Sequence, residues 1–364
     1  MHIDHPIRWG ILGTAQIARK NWQALRDAGN TRLVAVASRH LARAQSFVAE
    51  CQAAAPHETT PEALGSYDEL LSRPDIDAVY LPLPTVPRED WALKAAAHRK
   101  HLLLEKPVAS TAARAAEIIA ACSAQNLQFM DGVMFMHSQR IRHLSSHIRE
   151  SIGTPKTLFS QFSFPATADF LAHNIRTQPD AEPLGCLGDL GWYNIRLALH
   201  LAGESLPTQV RGKILNSHPQ SGVPLSFSGE LLFETGFLST FHCSFEAANA
   251  QWTVLTGTHG TLSLPDFVLP FANTLPHTII RKSEFITSAC EFAYHENACT
   301  QTFNEPPNNA LGSQESAMFR EFSRLGLCGK PDPFWPASSL ATQQVLDACL
   351  QSARTTENWI ALPK

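Results

Sequence analysis

Through the first 133 residues, short apolar runs alternate with longer alanine-rich stretches of helical spacing, and few folds accept that rhythm. Residues 7–12, 33–37, 78–83, 101–104 and 129–133 read as strands, because near-continuous apolar runs of this length suit a sheet buried on both faces. Residues 16–28, 41–54, 91–99 and 112–125 read as the intervening helices. Strand–helix–strand repetition joins parallel strands by right-handed crossovers, so this part is expected to be a doubly wound α/β sheet.

The pattern changes after Gly153. Residues 225–233, 237–245 and 252–256 alternate in the manner of half-buried antiparallel strands, with turn pairs at Thr235-Gly236 and His259-Gly260. The connection Glu234-Thr235-Gly236 is too short to separate the runs it joins, which makes them sheet neighbours. A helix is expected at 190–201, and two more at 314–325 and 338–354 around a loop, Pro331-Asp332-Pro333-Phe334-Trp335-Pro336, whose prolines disfavour helix. The expected division is an α/β domain over 1–130, with the 338–354 helix returning to it, and an α+β domain with antiparallel hairpins over 131–337.

Charge narrows the function classes. Lys and Arg total 29 against 33 Asp and Glu, a formal charge of −4 over 364 residues, so no basic excess draws the chain to nucleic acid or an anionic membrane. The eight cysteines form no CxxC pair, no apolar run approaches the ~18 residues of a membrane span, and Met1–Pro6 lacks the pattern of a secretion signal; a cytoplasmic protein with reduced thiols is expected. Of the sixteen histidines, His143 and His147 are four apart on an expected helix, a spacing that can bind metal, but without the intervening carboxylate of a zinc-protease motif they read as a solvated face, and no metal is expected.

The first run leads into Gly13-Thr14-Ala15-Gln16-Ile17-Ala18, a G-x-A-x-x-A form of the dinucleotide fingerprint. Gly13 permits the tight turn, Ala15 keeps the backbone close to a pyrophosphate, and Ala18 lets helix and strand approach. By itself the motif is also compatible with an ordinary strand-to-helix turn. At the end of the second run, where NAD enzymes usually place an acidic residue for the ribose, stand Ser38 and Arg39. A hydroxyl followed by a guanidinium suits a 2′-phosphate, so NADP is expected, with NAD as the alternative; the competing reading of Arg39 is a solvated helix start. Two further sets carry polar chemistry. Glu105-Lys106-Pro107 ends an apolar strand at the edge where ligands of open α/β sheets bind, although a surface ion pair is the commoner fate of Glu-Lys. Asp189 and Tyr193 are four apart at the start of a helix, where Asp189 could equally be a cap and Tyr193 a packed ring, and His173, Asn174 and Arg176 precede them in a loop suited to substrate contact.

Trp9 to Ala18, Glu105-Lys106-Pro107, Met134 to His137 with Arg140, Gly188-Asp189-Leu190-Gly191-Trp192-Tyr193 and the later Gly257 to Leu262 occur in one order and spacing. In that combination the chain resembles the Gfo/Idh/MocA oxidoreductases over nearly its whole length, and most of all their dimeric dihydrodiol dehydrogenase and NADP-dependent D-xylose dehydrogenase branch. The resemblance implies a dinucleotide-binding Rossmann domain over 1–130, a substrate and homodimerisation domain over 131–337 built on an open, mostly antiparallel sheet, and hydride transfer between a nicotinamide and a hydroxyl or carbonyl of a sugar, polyol or dihydrodiol-like substrate. It makes Lys106 the lysine beside nicotinamide and substrate, Tyr193 the acid/base and Asp189 its partner. Cofactor contacts are expected from Gly13, Thr14, Ala15, Gln16, Ile17, Ser38, Arg39, Pro84, Thr85, Arg88, Glu105 and Lys106.

One position departs from the pattern. Relatives usually carry Pro-Thr-x-x-His, whereas this chain has Pro84-Thr85-Val86-Pro87-Arg88. Arg88 is expected either to cap the following helix or to meet an acidic sugar. The same departure motivates an alternative, a catalytically silent NADP-binding regulator; an NAD-dependent glycosidase is the third reading. No G-x-S-x-G elbow or P-loop supports a serine hydrolase or a kinase.

Overall fold

The computed structural model describes residues 5–306, 310–355 and 358–362, which form two compact units. The first comprises 5–137, 180–183 and 310–344; it runs past the boundary expected at 130 and takes back two later segments. Its sheet consists of β1 (Ile7–Leu12), β2 (Thr31–Ala37), β3 (Glu62–Leu64), β4 (Ala78–Leu81), β5 (His101–Leu104) and β6 (Phe129–Asp131), all parallel, in the order β3-β2-β1-β4-β5-β6. The order reverses between β1 and β4, the switch point at which doubly wound sheets bind ligands.

Helices α1 (Gln16–Ala28), α2 (Leu41–Ala54), α3 (Tyr67–Ser72), α4 (Thr85–Ala97) and α5 (Ala112–Ala124) follow the successive strands. Trp9, Ile11, Leu12, Val79, Tyr80, Leu81 and Leu102 to Leu104 are fully buried, which is why these runs are apolar without alternation. β3 and α3 were not expected; the strand is only three residues long and begins with Glu62, too brief and polar to show a period.

The second unit comprises 138–179, 184–306, 345–355 and 358–362. It contains α6 (Gln139–Ile152), β7 (Pro155–Ser163), α7 (Ala168–His173), a 3₁₀ turn at Ile175–Thr177, a π-helical turn at Leu187–Gly191 and α8 (Trp192–Leu201). The strands β8 (Gln209–Ser217), β9 (Pro224–Leu232), β10 (Leu238–Ser244), β11 (Ala250–Gly257), β12 (Thr261–Leu264), β13 (His277–Ser288), β14 (Glu291–Thr302) and β15 (Ile360–Ala361) join β7 in a nine-stranded sheet, ordered β14-β13-β12-β11-β7-β10-β9-β8-β15. Only β7 with β10 is parallel. β9 and β10 pair across the short turn, with Leu232 opposite Leu238. A fully buried ion pair between Arg140 and Asp266 ties α6 to the segment after β12.

Two helices follow the sheet. α9 (Gln314–Leu327) packs on β1 within the first unit: Phe319 and Phe322 meet the Trp9 ring at 5.3 and 4.9 Å, and Trp9 Nε1 donates to Ser323 Oγ at 3.2 Å. α10 (Phe334–Thr355) is shared, with 334–344 in the first unit and 345–355 in the second. In its second half, Ser352 Oγ accepts the amide of Gly212 on β8 at 3.1 Å.

Two expected helix starts are too late for one physical reason. α4 begins at Thr85 rather than 91, and α10 at Phe334 rather than 338, which places Pro87 and Pro336 inside first turns instead of loops. Proline lacks only the amide that a first turn leaves unbonded anyway. Asp332 Oδ1 accepts the Phe334 amide at 2.9 Å at the start of α10.

Candidate active site

At the end of β1, Gly13 has φ +117°, and a Cβ there would lie 2.8 Å from Leu83 Cδ2. Only glycine fits the turn. Its amide donates to Ala37 O of β2 at 2.9 Å. Thr14 and Ala15 are half-buried, Gln16 and Ile17 exposed. Ala15 gives α1 an extended cap residue with no side-chain hydrogen bond, and the first turn of α1 holds no acid. Helix amides without a carboxylate among them suit an anion, so these residues fit the pyrophosphate of a dinucleotide.

At the end of β2, Ser38 is buried, its amide donating to Leu64 O at 3.0 Å and its Oγ accepting the His40 amide at 3.5 Å. Arg39 is exposed, and α2 opens with no acid in its first turn and Arg43 close behind. The set suits a phosphate on a ribose.

The exits of β4 and β5 are built differently. Tyr80 on β4 is fully buried; its hydroxyl donates to Glu105 Oε1 at 2.5 Å and accepts from Asn21 Nδ2 at 2.6 Å, while burial and the facing Glu105 carboxylate push its pKa well above the ordinary phenol value. Glu105 is thereby fixed beside the half-buried Lys106, and the Lys106–Pro107 peptide is cis. Arg88, expected as a cap, a substrate contact or a cofactor contact, is instead 1% exposed and turned onto protein atoms: Nη1 donates to Leu83 O, and Nη2 donates to Pro107 O and, at 3.3 Å, to Thr85 Oγ1. Burial lowers its pKa, opposed by the Glu182, Glu105, Tyr80 and Glu89 charges. Thr85 is gripped in turn by Glu182, whose Oε1 accepts the Thr85 amide at 2.9 Å and whose Oε2 accepts Thr85 Oγ1 at 2.6 Å; Val86 N bonds Ala181 O at 3.1 Å. Pro84 is the residue before this capped turn.

In the second unit, Asp189 is no N-cap but sits inside the π turn that leads into α8. Gly191 in that turn has no room for a side chain, since a Cβ would lie 2.8 Å from Leu187 Cδ1 and 3.2 Å from Cys243 Sγ. Asp189 Oδ2 pairs with Arg176 Nε at 2.8 Å. Tyr193, 6% exposed, meets the Phe162 ring edge-on at 5.4 Å. The histidines set aside as a metal pair stack on one another at 4.1 Å, and His143 Nε2 meets Gln301 Nε2 at 3.0 Å.

The expected cofactor residues therefore gather at the carboxyl edge of the first unit's sheet, on β1, β2, β4 and β5. Sequence reasoning missed Tyr80, Asn21 and Glu182. Tyr80 reads as an ordinary strand residue, and Glu182 stands 97 residues from the turn it caps, where no local signal reaches.

A parallel sheet of order 3-2-1-4-5-6 with an acid-free, glycine-entered helix at its switch point is the arrangement of a dinucleotide-binding domain. The description "Oxidoreductase family, NAD-binding Rossmann fold" matches residues 7–133, and "GFO/IDH/MocA C-terminal domain" matches 141–263. The chain belongs to the Gfo/Idh/MocA family of NAD(P)-dependent oxidoreductases, and its named relatives include sugar ketoreductases, a xylose dehydrogenase and dihydrodiol dehydrogenases. It is 31% identical over 284 residues to the dTDP-3,4-didehydro-2,6-dideoxy-alpha-D-glucose 3-reductase of Streptomyces antibioticus, covering 76% of this chain and 81% of that one. It is 28% identical over 349 residues to D-xylose 1-dehydrogenase (NADP(+)) 2 of Haloferax volcanii, covering 95% and 97%. Among solved structures, a 3-ketoreductase from Actinomadura kijaniata in complex with NADP and TDP-benzene matches with a TM-score of 0.82 at 27% identity, over 96% and 98% of the two chains.

Proposed function

We propose that the chain is an NADP(H)-dependent oxidoreductase that interconverts a hydroxyl and a carbonyl on a sugar, with Tyr193 as the acid/base and Lys106 as the cation that tunes it. The observation that carries this reading is the first unit's carboxyl edge. There an anion-ready helix start, a basic ribose position at Ser38 and Arg39, and a lysine on a rigidly held strand exit lie on neighbouring strands. When bound, the nicotinamide donates or accepts the hydride. Thr14 to Ile17 hold the pyrophosphate with backbone amides, Arg39 and Ser38 take the 2′-phosphate, and Glu105, fixed by Tyr80, orders the Lys106 segment.

A phenol titrates near ~10, too high to take a proton at neutral pH, and a neighbouring ammonium stabilises its phenolate. Tyr193 then removes the hydroxyl proton during oxidation or delivers it during carbonyl reduction. Asp189, anchored by Arg176, serves as the partner of Tyr193 four residues on. A sugar reductase and a sugar dehydrogenase among the relatives support a sugar substrate and both directions of the hydroxyl–carbonyl interconversion expected from sequence, while trans-1,2-dihydrobenzene-1,2-diol dehydrogenases among them keep a dihydrodiol as the second candidate. The alternative, a catalytically silent NADP-binding regulator, rests on buried Arg88 standing where relatives carry histidine.

A homodimer forms through the nine-stranded sheet, a reading supported by Phe159 and Trp252, exposed by 46% and 38% on adjacent strands β7 and β11. A cytoplasmic setting accords with eight cysteines all present as free thiols. No described helix is long and apolar enough to cross a membrane. The deciding experiment follows reduced-nicotinamide absorbance across a panel of aldoses, keto sugars and nucleotide-linked keto sugars, with NADP(H) and NAD(H) in parallel. Turnover on a sugar with NADP(H) preferred is the expected result; tight NADPH binding with no turnover on any sugar contradicts it.

A further inference from the structure

Arg88 occupies the fourth position of α4, yet its side chain faces away from solvent and is spent on backbone. Its two terminal nitrogens donate to Leu83 O, just past the end of β4, and to Pro107 O, one residue after Lys106 on the exit of β5. One planar cation thus joins the carboxyl ends of two adjacent strands at main-chain atoms. A guanidinium carries donors in a rigid fork, a lysine is a single point on a flexible stem, and a neutral imidazole has only one donor. Thr85, which also accepts from Arg88, is held by Glu182 through both carboxylate oxygens. The neighbouring Glu89 fixes the far side of the same loop, its Oε1 accepting the Ser110 amide at 2.7 Å and its Oε2 pairing with Arg114 Nε at 3.0 Å.

We infer that Arg88 is a positioning residue that sets the backbone carrying Lys106, a role that rests on the reading of Lys106 given above. The ammonium is useful only where it stabilises the Tyr193 phenolate, and a misplacement of about 1 Å in a reacting constellation costs on the order of 100-fold in rate. Arg88 does not contact cofactor or substrate in this account, so its loss lowers turnover without weakening cofactor binding.

Arg88→Lys, Glu182→Gln and Lys106→Met are compared with the wild type for melting temperature, NADPH affinity by fluorescence, kcat and KM, and the pH profile of kcat. Arg88→Lys keeps the charge but replaces the rigid fork with a single ammonium on a flexible stem. The expected result is a folded protein with NADPH affinity within about threefold of wild type, kcat reduced about 10- to 100-fold, and the limb of the profile assigned to Tyr193 moved to higher pH. A merely structural residue would lower the melting temperature and leave that limb in place. Wild-type kcat in folded Arg88→Lys, with Lys106→Met inactive, overturns the positioning role alone. Wild-type kcat in Lys106→Met overturns the catalytic reading and the positioning role together. If Arg88→Lys does not fold, Glu182→Gln decides: reduced kcat with NADPH affinity and melting temperature kept supports the role, and unchanged kcat overturns it.

Discussion

The exit of β1 and the exits of β4 and β5 lie on one sheet edge but are made by opposite means. At β1 the work falls to backbone: Gly13 at φ +117°, an acid-free helix start, and small residues. At β4 and β5 it falls to charged side chains, with buried Arg88, half-buried Glu182 and the Tyr80–Glu105 pair holding carbonyls, an amide and each other. The first arrangement presents amides to a ligand of fixed shape. The second holds the main chain on either side of a single lysine, with a buried cation kept in place by the carbonyls and carboxylates around it.

If the two exits differ in this way, their variants fail differently. Arg88→Met should be the most costly, removing a cation from carbonyls and carboxylates buried around it, with a loss of about 3–5 kcal/mol of stability by urea unfolding. Gly13→Val comes next. Its strained φ and the clash with Leu83 should cost about 1–3 kcal/mol and, unlike a β4 or β5 variant, abolish NADPH binding in titration. Tyr80→Phe deprives Glu105 and Asn21 of one partner each, for about 1–3 kcal/mol in the same unfolding assay, with NADPH affinity kept. The smallest effect is expected for Arg39→Ala, exposed and poised for one phosphate: stability unchanged, NADPH affinity down about tenfold, worth about 1.4 kcal/mol, and NADH affinity unaltered. Equal loss for NADH and NADPH would remove the 2′-phosphate from the account.

The same contrast explains what the sequence could tell. The β1 turn was legible because glycine, small residues and the spacing to β2 are all local, and the strand order follows from repeated strand–helix units. The start of α4 was not, since its cap comes from Glu182, 97 residues downstream, and Pro87 reads as a breaker until it is placed in a first turn. Arg88 drew notice as a departure, but a charged residue gives no sign of burial until the carbonyls of Leu83 and Pro107 are brought beside it. In the second unit the spacing of Asp189 and Tyr193 was visible, whereas the π turn that holds Asp189 depends on the approach of Cys243 from β10 to Gly191.

The central claim is that Tyr193 moves the proton in an NADP(H)-dependent sugar oxidoreduction. Its most direct test is the turnover of Tyr193→Phe on the best sugar of the panel at saturating NADPH, with NADPH affinity measured on the same preparation. The account predicts unchanged affinity and a kcat lower by about 100- to 10,000-fold; a variant that turns over at the wild-type rate would contradict it.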